Sequence, residues 1–122
     1  MAKSKRFTEL IVWQKAHKLT LEIYKATKIF PKEEKFGIVS QIRRSSSAIP
    51  TNIVEGFKRR TTRDYLHFIN IADASLEETK YLLLLAHDLG YLKDKEYKEL
   101  LCDYEEISRM IGVLEKSLKH RL

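Results

Sequence analysis

Residues 40–60 read SQIRRSSSAIPTNIVEGFKRR, and the reading of this stretch decides the fold. Val39, Ile42, Ile49, Ile53 and Phe57 keep three- and four-residue spacing on either side of a polar interruption, the period of one helix face. Into that series are set residues that a helix core normally avoids: Arg43, Arg44, Ser45, Ser46, Ser47, Pro50, Asn52, Glu55 and Gly56. A surface helix has no need of the isoleucines, and a plain core helix would exclude the polar set. The stretch therefore predicts a partly buried helix that carries a polar seam and is kinked at Pro50. A proline within a helix removes one backbone donor and crowds the carbonyl four residues back, here that of Ser46. The hydroxyls of Ser45 to Ser47 are expected to satisfy the freed backbone groups; a full break into two short helices is the alternative.

Working outward, Val12, Trp13, Ala16, Leu19, Ile23, Ala26 and Phe30 share one helical face, which predicts helix one from Leu10 to Ile29 with Thr8 as its N-cap. Pro31 ends it, because the residue before a proline is pushed out of helical geometry. Helix two is expected to start at Glu33 or Glu34, whose charges suit a helix N-terminus, and to end near Arg60. Thr61 or Thr62 caps helix three, which carries Tyr65, Phe68, Ile69, Ala72, Leu76, Thr79, Leu83 and Ala86 on one stripe and stops at Gly90. Helix four follows Asp94 as N-cap and runs to about Lys119. In it Tyr97, Tyr104, Ile111 and Leu118 form a seven-residue series interleaved with Leu100, Ile107 and Leu114. Long helices with short connections lie antiparallel to their neighbours. The expected fold is all-α: an up-down-up-down antiparallel four-helix bundle over residues 10–119, preceded by a basic arm, residues 1–9.

Composition agrees with this. Two prolines and four glycines in 122 residues leave few turn positions for an all-β chain. The single cysteine, Cys102, has no internal disulfide partner, which points to a reducing cytoplasm. The apolar run near the start is broken by Thr8 and Glu9, too short for a signal peptide or a membrane span. The net charge of +6 is uneven: residues 1–60 hold fourteen Lys/Arg against five Asp/Glu, residues 61–122 nine against twelve. A basic front half suggests a polyanionic partner.

Catalytic readings find little support. Carboxylate-bridged metal sites of helical bundles need two Glu-x-x-His pairs and two further glutamates. None of the four histidines, His17, His67, His87 and His120, has a glutamate three residues before it. Asp64 and His67 have that spacing once, near a helix start. Cys102 has no local basic cluster to activate it, and neither a glycine-rich phosphate loop nor a Gly-x-Ser-x-Gly elbow occurs. No enzyme activity, cofactor or metal is expected.

The polar residues have a structural reading of their own. Folding the helices about their connections brings Glu22 and Glu78 level with Arg44, which predicts a buried arginine tie across three helices. Asn52 and Glu55 share a face, Arg59 lies four beyond Glu55 in the favourable order for an ion pair, and Gly56 admits a close backbone. The set reads as a register-fixing network. Arg43, about 100° around the helix from Arg44, is the candidate for a ligand or nucleic-acid role.

The segment QIRRSSSAIPTNIVEG, residues 41–56, resembles the signature of the four-helix-bundle family encoded in intervening sequences of bacterial large-subunit ribosomal RNA. The likeness extends from Leu10 to Leu118 through LIVWQKAHKL, IYKATKIFPKEE, FINIADASLEET and LAHDLGYL, with Ala48 and Ala74 as small departures. Relatives of that family include the accessory variability proteins of diversity-generating retroelements. The resemblance implies the bundle fold, a ring-like homopentamer, and association with nucleic acid and a reverse transcriptase. Residues 81–86, YLLLLA, are apolar around the whole helix circumference. They read either as a locally wide core stripe or as an oligomer interface through Tyr81, Leu82, Leu84 and Leu85.

Two function classes follow. The first is an oligomeric basic scaffold that binds RNA or DNA; the second is a protein-interaction adaptor whose charge is incidental. In this topology the N-terminus, the connection between helices two and three, and the C-terminus meet at one pole. The expected nucleic-acid contacts are Lys3, Lys5, Arg6, Lys58, Arg59, Arg60, Arg63, Lys119 and Arg121. No membrane and no small-molecule substrate is expected.

Overall fold

The computed structural model describes residues 4–122. Four helices make up the fold: α1, Ile11–Thr27; α2, Ile38–Phe57; α3, Thr62–Asp88; and α4, Asp94–His120. Short 3-10 turns, Phe7–Glu9 and Lys32–Glu34, precede α1 and α2. Each helix packs on its sequence neighbours, α4 closes on α1, and the diagonal pairs stay apart along their backbones. Thr20 meets Ser46 and, further along α1, Thr27 meets Arg43, so numbering rises on one helix as it falls on the other and the two are antiparallel. This is the expected bundle. No described helix is long and apolar enough to cross a membrane.

The core is the set of faces that periodicity marks. Ala16, Leu19 and Ile23 of α1 meet Ile42, Ile49 and Ile53 of α2, Ile69, Ala72, Leu76 and Leu83 of α3, and Tyr104, Ile107, Ile111 and Leu118 of α4. Trp13, Tyr65, Tyr97 and Leu114 are only half-buried and rim this core. The six apolar residues 81–86 divide by phase: Leu82, Leu83 and Ala86 are buried, while Tyr81 and Leu84 are 59% and 41% exposed. Leu82 therefore belongs to the core rather than to an outer surface. A run that circles the helix must place about half its side chains inward.

Three helix starts depart from expectation, each for a local reason. Thr8 does not cap α1; it lies in the preceding 3-10 turn, and its carbonyl accepts from the Gln14 amide at 2.7 Å. Helix α2 begins at Ile38, not at Glu33 or Glu34, because Gly37 (φ −106°, ψ −118°) interrupts helical geometry. Glu34 instead accepts a 2.7 Å hydrogen bond from the Tyr91 hydroxyl, which ties the α1–α2 connection to the α3–α4 connection. Asp94 is the first residue of α4, and the cap position is Lys93. Helices α1 and α2 also end early, at Thr27 and Phe57 where Ile29 and Arg60 were expected, while the signals of Thr61 and Gly90 hold. Thr61 caps α3 by accepting from Asp64 N at 3.1 Å. Gly90 adopts φ +84°, while Tyr91 N donates to Ala86 O and Gly90 N to His87 O, the paired bonds of a left-handed helix stop.

Helix α2 runs unbroken through the buried Pro50. The Ser46 carbonyl, deprived of its helical donor, accepts from Thr20 Oγ1 of α1 at 3.1 Å. The serines do not perform this task. Ser45, Ser46 and Ser47 donate to carbonyls three residues back, those of Ile42, Arg43 and Arg44, at 3.1–3.3 Å.

Candidate nucleic-acid interface

A polar seam exists along α2, and hydroxyls make it rather than ion pairs. Thr79 of α3 donates to Ser45 Oγ at 2.8 Å, and Thr20 reaches Ser46 O from the other side. Thr27 donates to Ile23 O at 2.8 Å and accepts from Arg43 Nε at 2.9 Å. All five hydroxyl residues, Thr20, Thr27, Ser45, Ser46 and Thr79, are buried. Neutral hydroxyls cost far less to desolvate than charges, so the seam links three helices without a buried ion.

The expected Glu22–Arg44–Glu78 tie is absent. All three residues are exposed, and no carboxylate lies within ion-pair distance of Arg44 among the described residues. The reason is helical phase. The inward positions of α2 here are 42, 45, 46 and 49, which turn Arg44 outward; on α1, Thr20, Tyr24 and Thr27 face α2, which leaves Glu22 on the side toward α4. The arginine that joins the seam is Arg43. Its guanidinium lies over the Tyr24 ring at 4.7 Å, and Nη2 donates to Tyr24 O at 3.3 Å near the C-terminal end of α1, where a cation is favoured. Arg43 is thus a bundle tie rather than a free cation. Among the described residues Asn52 bonds only its own helix, through Ala48 O at 2.8 Å. Nothing in the sequence singled out Thr20 and Thr27; the available signal was a threonine on the apolar face of α1, opposite a helix containing a proline.

The three segments expected at one pole do meet there. A Cβ on Gly56 would lie 3.1 Å from Tyr65 O, so the end of α2 and the start of α3 approach through a glycine. Arg121, at the C-terminus, is near enough to Tyr65 to offset in part the upward push that burial gives its phenol. Lys5, Arg6, Lys58, Arg60, Arg63, Lys119 and Arg121 are exposed, with no carboxylate within 4.0 Å among the described residues. Lys3 lies outside the described residues. Arg59 differs from its neighbours: it is paired with Glu55 at 2.8 Å and lies over the Phe68 ring at 4.6 Å. Fewer carboxylates than cations lie at this pole: Glu9 and Asp64 are exposed and unpaired among the described residues, while two others are occupied or held back. Glu55 holds Arg59, and burial followed by the nearby Asp73 carboxylate holds Glu115 above the usual glutamate range.

The opposite pole is mixed in sign: Lys28, Lys32, Lys35 and Lys93 are exposed without an ion pair among the described residues, and carboxylates accompany them. Lys98 pairs with Asp94 at 2.9 Å and holds its carboxyl below the usual range. His87 sits between Asp88 and Asp94, at 3.0 and 3.1 Å, and stacks on Tyr97. Between α1 and α4 the bundle opens into a groove of about 590 Å³ with an apolar floor of Leu19, Leu100 and Ile107. Lys18 and Lys25 stand on its α1 wall, and Glu96, Glu99 and Asp103 on its α4 wall; only Lys15 and Glu106 bridge it, at 2.9 Å. Among the described residues no three His, Cys, Asp or Glu side chains gather as metal ligands.

The family model for the 23S rRNA-intervening sequence protein matches residues 8–113. The chain belongs to this family. A solved structure with the same fold is a protein of unknown function of the S23 ribosomal protein family from Bacteroides thetaiotaomicron. It is similar at 27% identity and TM-score 0.79, over 87% of this chain and 99% of that one. A search of curated protein sequences gives no match. The part matched to the 23S rRNA-intervening sequence protein contains the whole hydroxyl seam, Pro50 and the cations Lys58 to Arg63. Lys5, Arg6, Lys119 and Arg121 lie outside it.

Proposed function

We propose that this protein is a non-enzymatic, self-associating basic scaffold that binds RNA or DNA backbones through the pole where the α2–α3 connection and both termini meet. The observation that carries this reading is the contrast between the poles: exposed cations outnumber carboxylates at one end, while charges of both signs are mixed at the other. Helix-end electrostatics explain only part of it. Cations are favoured at the C-terminal ends of α2 and α4, but Lys5, Arg6 and Arg63 stand before or at helix starts, where they are mildly unfavourable. Exposed, flexible cations suit phosphate contacts, which position a nucleic acid without reading its sequence. Self-association through the exposed Tyr81 and Leu84 of α3 would repeat the basic pole around a ring, a pentamer by the family resemblance. Light scattering that finds only monomer at micromolar concentration removes that part. A partner enzyme such as a reverse transcriptase fits the same scaffold role. The test of binding itself is the anisotropy of labelled RNA and DNA across a salt series, because phosphate contacts release counterions. Cytoplasmic placement follows from a nucleic-acid partner and the free Cys102.

The groove between α1 and α4 favours a second reading, a protein adaptor. Its walls carry more carboxylates than lysines above an apolar floor, a match for an amphipathic helix with basic flanks. Absence of nucleic-acid binding would favour this reading.

A further inference from the structure

We infer that the strand this pole takes is single, and that one of its bases stacks on His17 above Trp13; the inference rests on the nucleic-acid reading above. Trp13, the only tryptophan, lies in the first turn of α1. Phe7 packs edge-on against it, with centroids 4.9 Å apart and planes at 76°. One turn further, His17 lies flat on the indole, with centroids 5.0 Å apart and planes at 6°.

The burial of these rings is graded. Phe7 and Trp13 are half-buried, and His17 is exposed, so the outermost ring of the stack keeps a face toward solvent. The other stacked histidine, His87 on Tyr97, is accounted for by two carboxylates at its ring nitrogens. His17 has no such account: among the described residues its nitrogens make no hydrogen bond, and contact with Trp13 alone orients it. Both nitrogens are therefore available to a base edge or a phosphate.

The stack sits where the backbone cations are. Phe7 directly follows Lys5 and Arg6, and its 3-10 turn touches both α1 and α2. Because α1 and α2 are antiparallel, the first turn of α1 lies beside the last turn of α2, next to Lys58. A cationic track beside a ring with an open face is the arrangement that holds single strands, whose unstacked bases can lie on it. A duplex keeps its bases stacked inside and can use only the cations.

Trp13 reports the event directly, since its fluorescence belongs to one site. Labelled single-stranded oligo(U) and a duplex, each of about 20 nucleotides, are titrated with the full chain near 50 mM salt. Anisotropy reads binding, and Trp13 emission is followed in parallel. The expected result is that oligo(U) binds about tenfold tighter than the duplex and quenches Trp13, while the duplex leaves its emission unchanged. His17→Ala should remove the single-strand advantage and keep duplex binding; His17→Tyr should restore it. If oligo(U) binds without quenching, or His17→Ala binds it as wild type does, the stacking site is wrong and the phosphate-binding pole stands. If neither nucleic acid binds, both are overturned.

Discussion

Thr20 Oγ1 shares its one proton between Ser46 O at 3.1 Å and Ala16 O at 3.0 Å, and Ser46 O is the carbonyl that Pro50 leaves without its helical partner. A residue of α1 thus repairs a defect in α2, and the repair fixes the register between the two helices. An unpaired buried carbonyl costs roughly 1–3 kcal/mol, so Thr20→Val should destabilise the fold by about that amount. In a Pro50→Ala background, where position 50 regains its N–H, the same substitution should cost clearly less. Chemical denaturation of the four proteins measures the coupling, and equal cost in both backgrounds would show that the hydroxyl does not serve that carbonyl.

The two adjacent arginines should separate sharply. Arg44 is exposed and without a carboxylate, so Arg44→Ala is expected to change stability by about 0.5 kcal/mol or less. Arg43 donates to Thr27 and Tyr24 and lies over an aromatic ring, so Arg43→Ala should cost about 1–2 kcal/mol. Urea midpoints that rank the two the other way would put the seam on the wrong arginine.

How far the sequence carried can be read from these neighbours. Apolar spacing located all four helices and most of the core, because burial of a periodic face dominates where a helix lies. Thr61 and Gly90 announced their boundaries through local chemistry that needs no tertiary partner. What stayed hidden depended on helical phase or on a second helix. Arg43 and Arg44 differ by about 100°, a rotation that residue spacing cannot assign when both flanks are polar. Thr20 looks like a gap in an apolar stripe until Pro50 is placed opposite it. Gly37 delays α2 past two well-placed glutamates, and Glu34 proves to be a partner for Tyr91, 57 residues away. Topology and charge pointed to the basic pole, and four-residue spacing to the Glu55–Arg59 ion pair; the Phe68 ring under Arg59 had no signal of its own.

Tyr104 is fully buried, its hydroxyl has no hydrogen-bond partner among the described residues, and burial pushes its pKa upward. An unpaired buried hydroxyl opposes folding, so Tyr104→Phe should raise stability by about 1 kcal/mol. Thermal and urea unfolding of the variant provide the check. A loss of more than about 1 kcal/mol would mean that the hydroxyl is satisfied.

The His87 clasp gives the fold a pH dependence of defined sign. The hydrogen bond that the His87 ring donates to Asp88, reinforced by one to Asp94, raises the His87 pKa above its ordinary value. A raised folded pKa contributes stability that is complete below the unfolded value of about 6.5 and is lost as pH rises through the folded value. Melting temperatures across that window should fall for the wild type, and the slope should flatten in His87→Gln. An unchanged slope in the variant would remove His87 as its source.

The central claim is that uncompensated cations at one pole hold phosphate backbones, and the salt dependence of binding tests it most directly. Wild-type protein should bind labelled RNA near 50 mM salt and lose affinity steeply by about 200 mM. The triple variant Lys58→Gln, Arg60→Gln, Arg63→Gln, with its helical circular dichroism intact, should bind more weakly. Its slope of log affinity against log salt should be shallower by about one for each contact removed. Wild-type protein that binds no nucleic acid near 50 mM salt, or a triple variant whose affinity and slope match the wild type, would contradict the account.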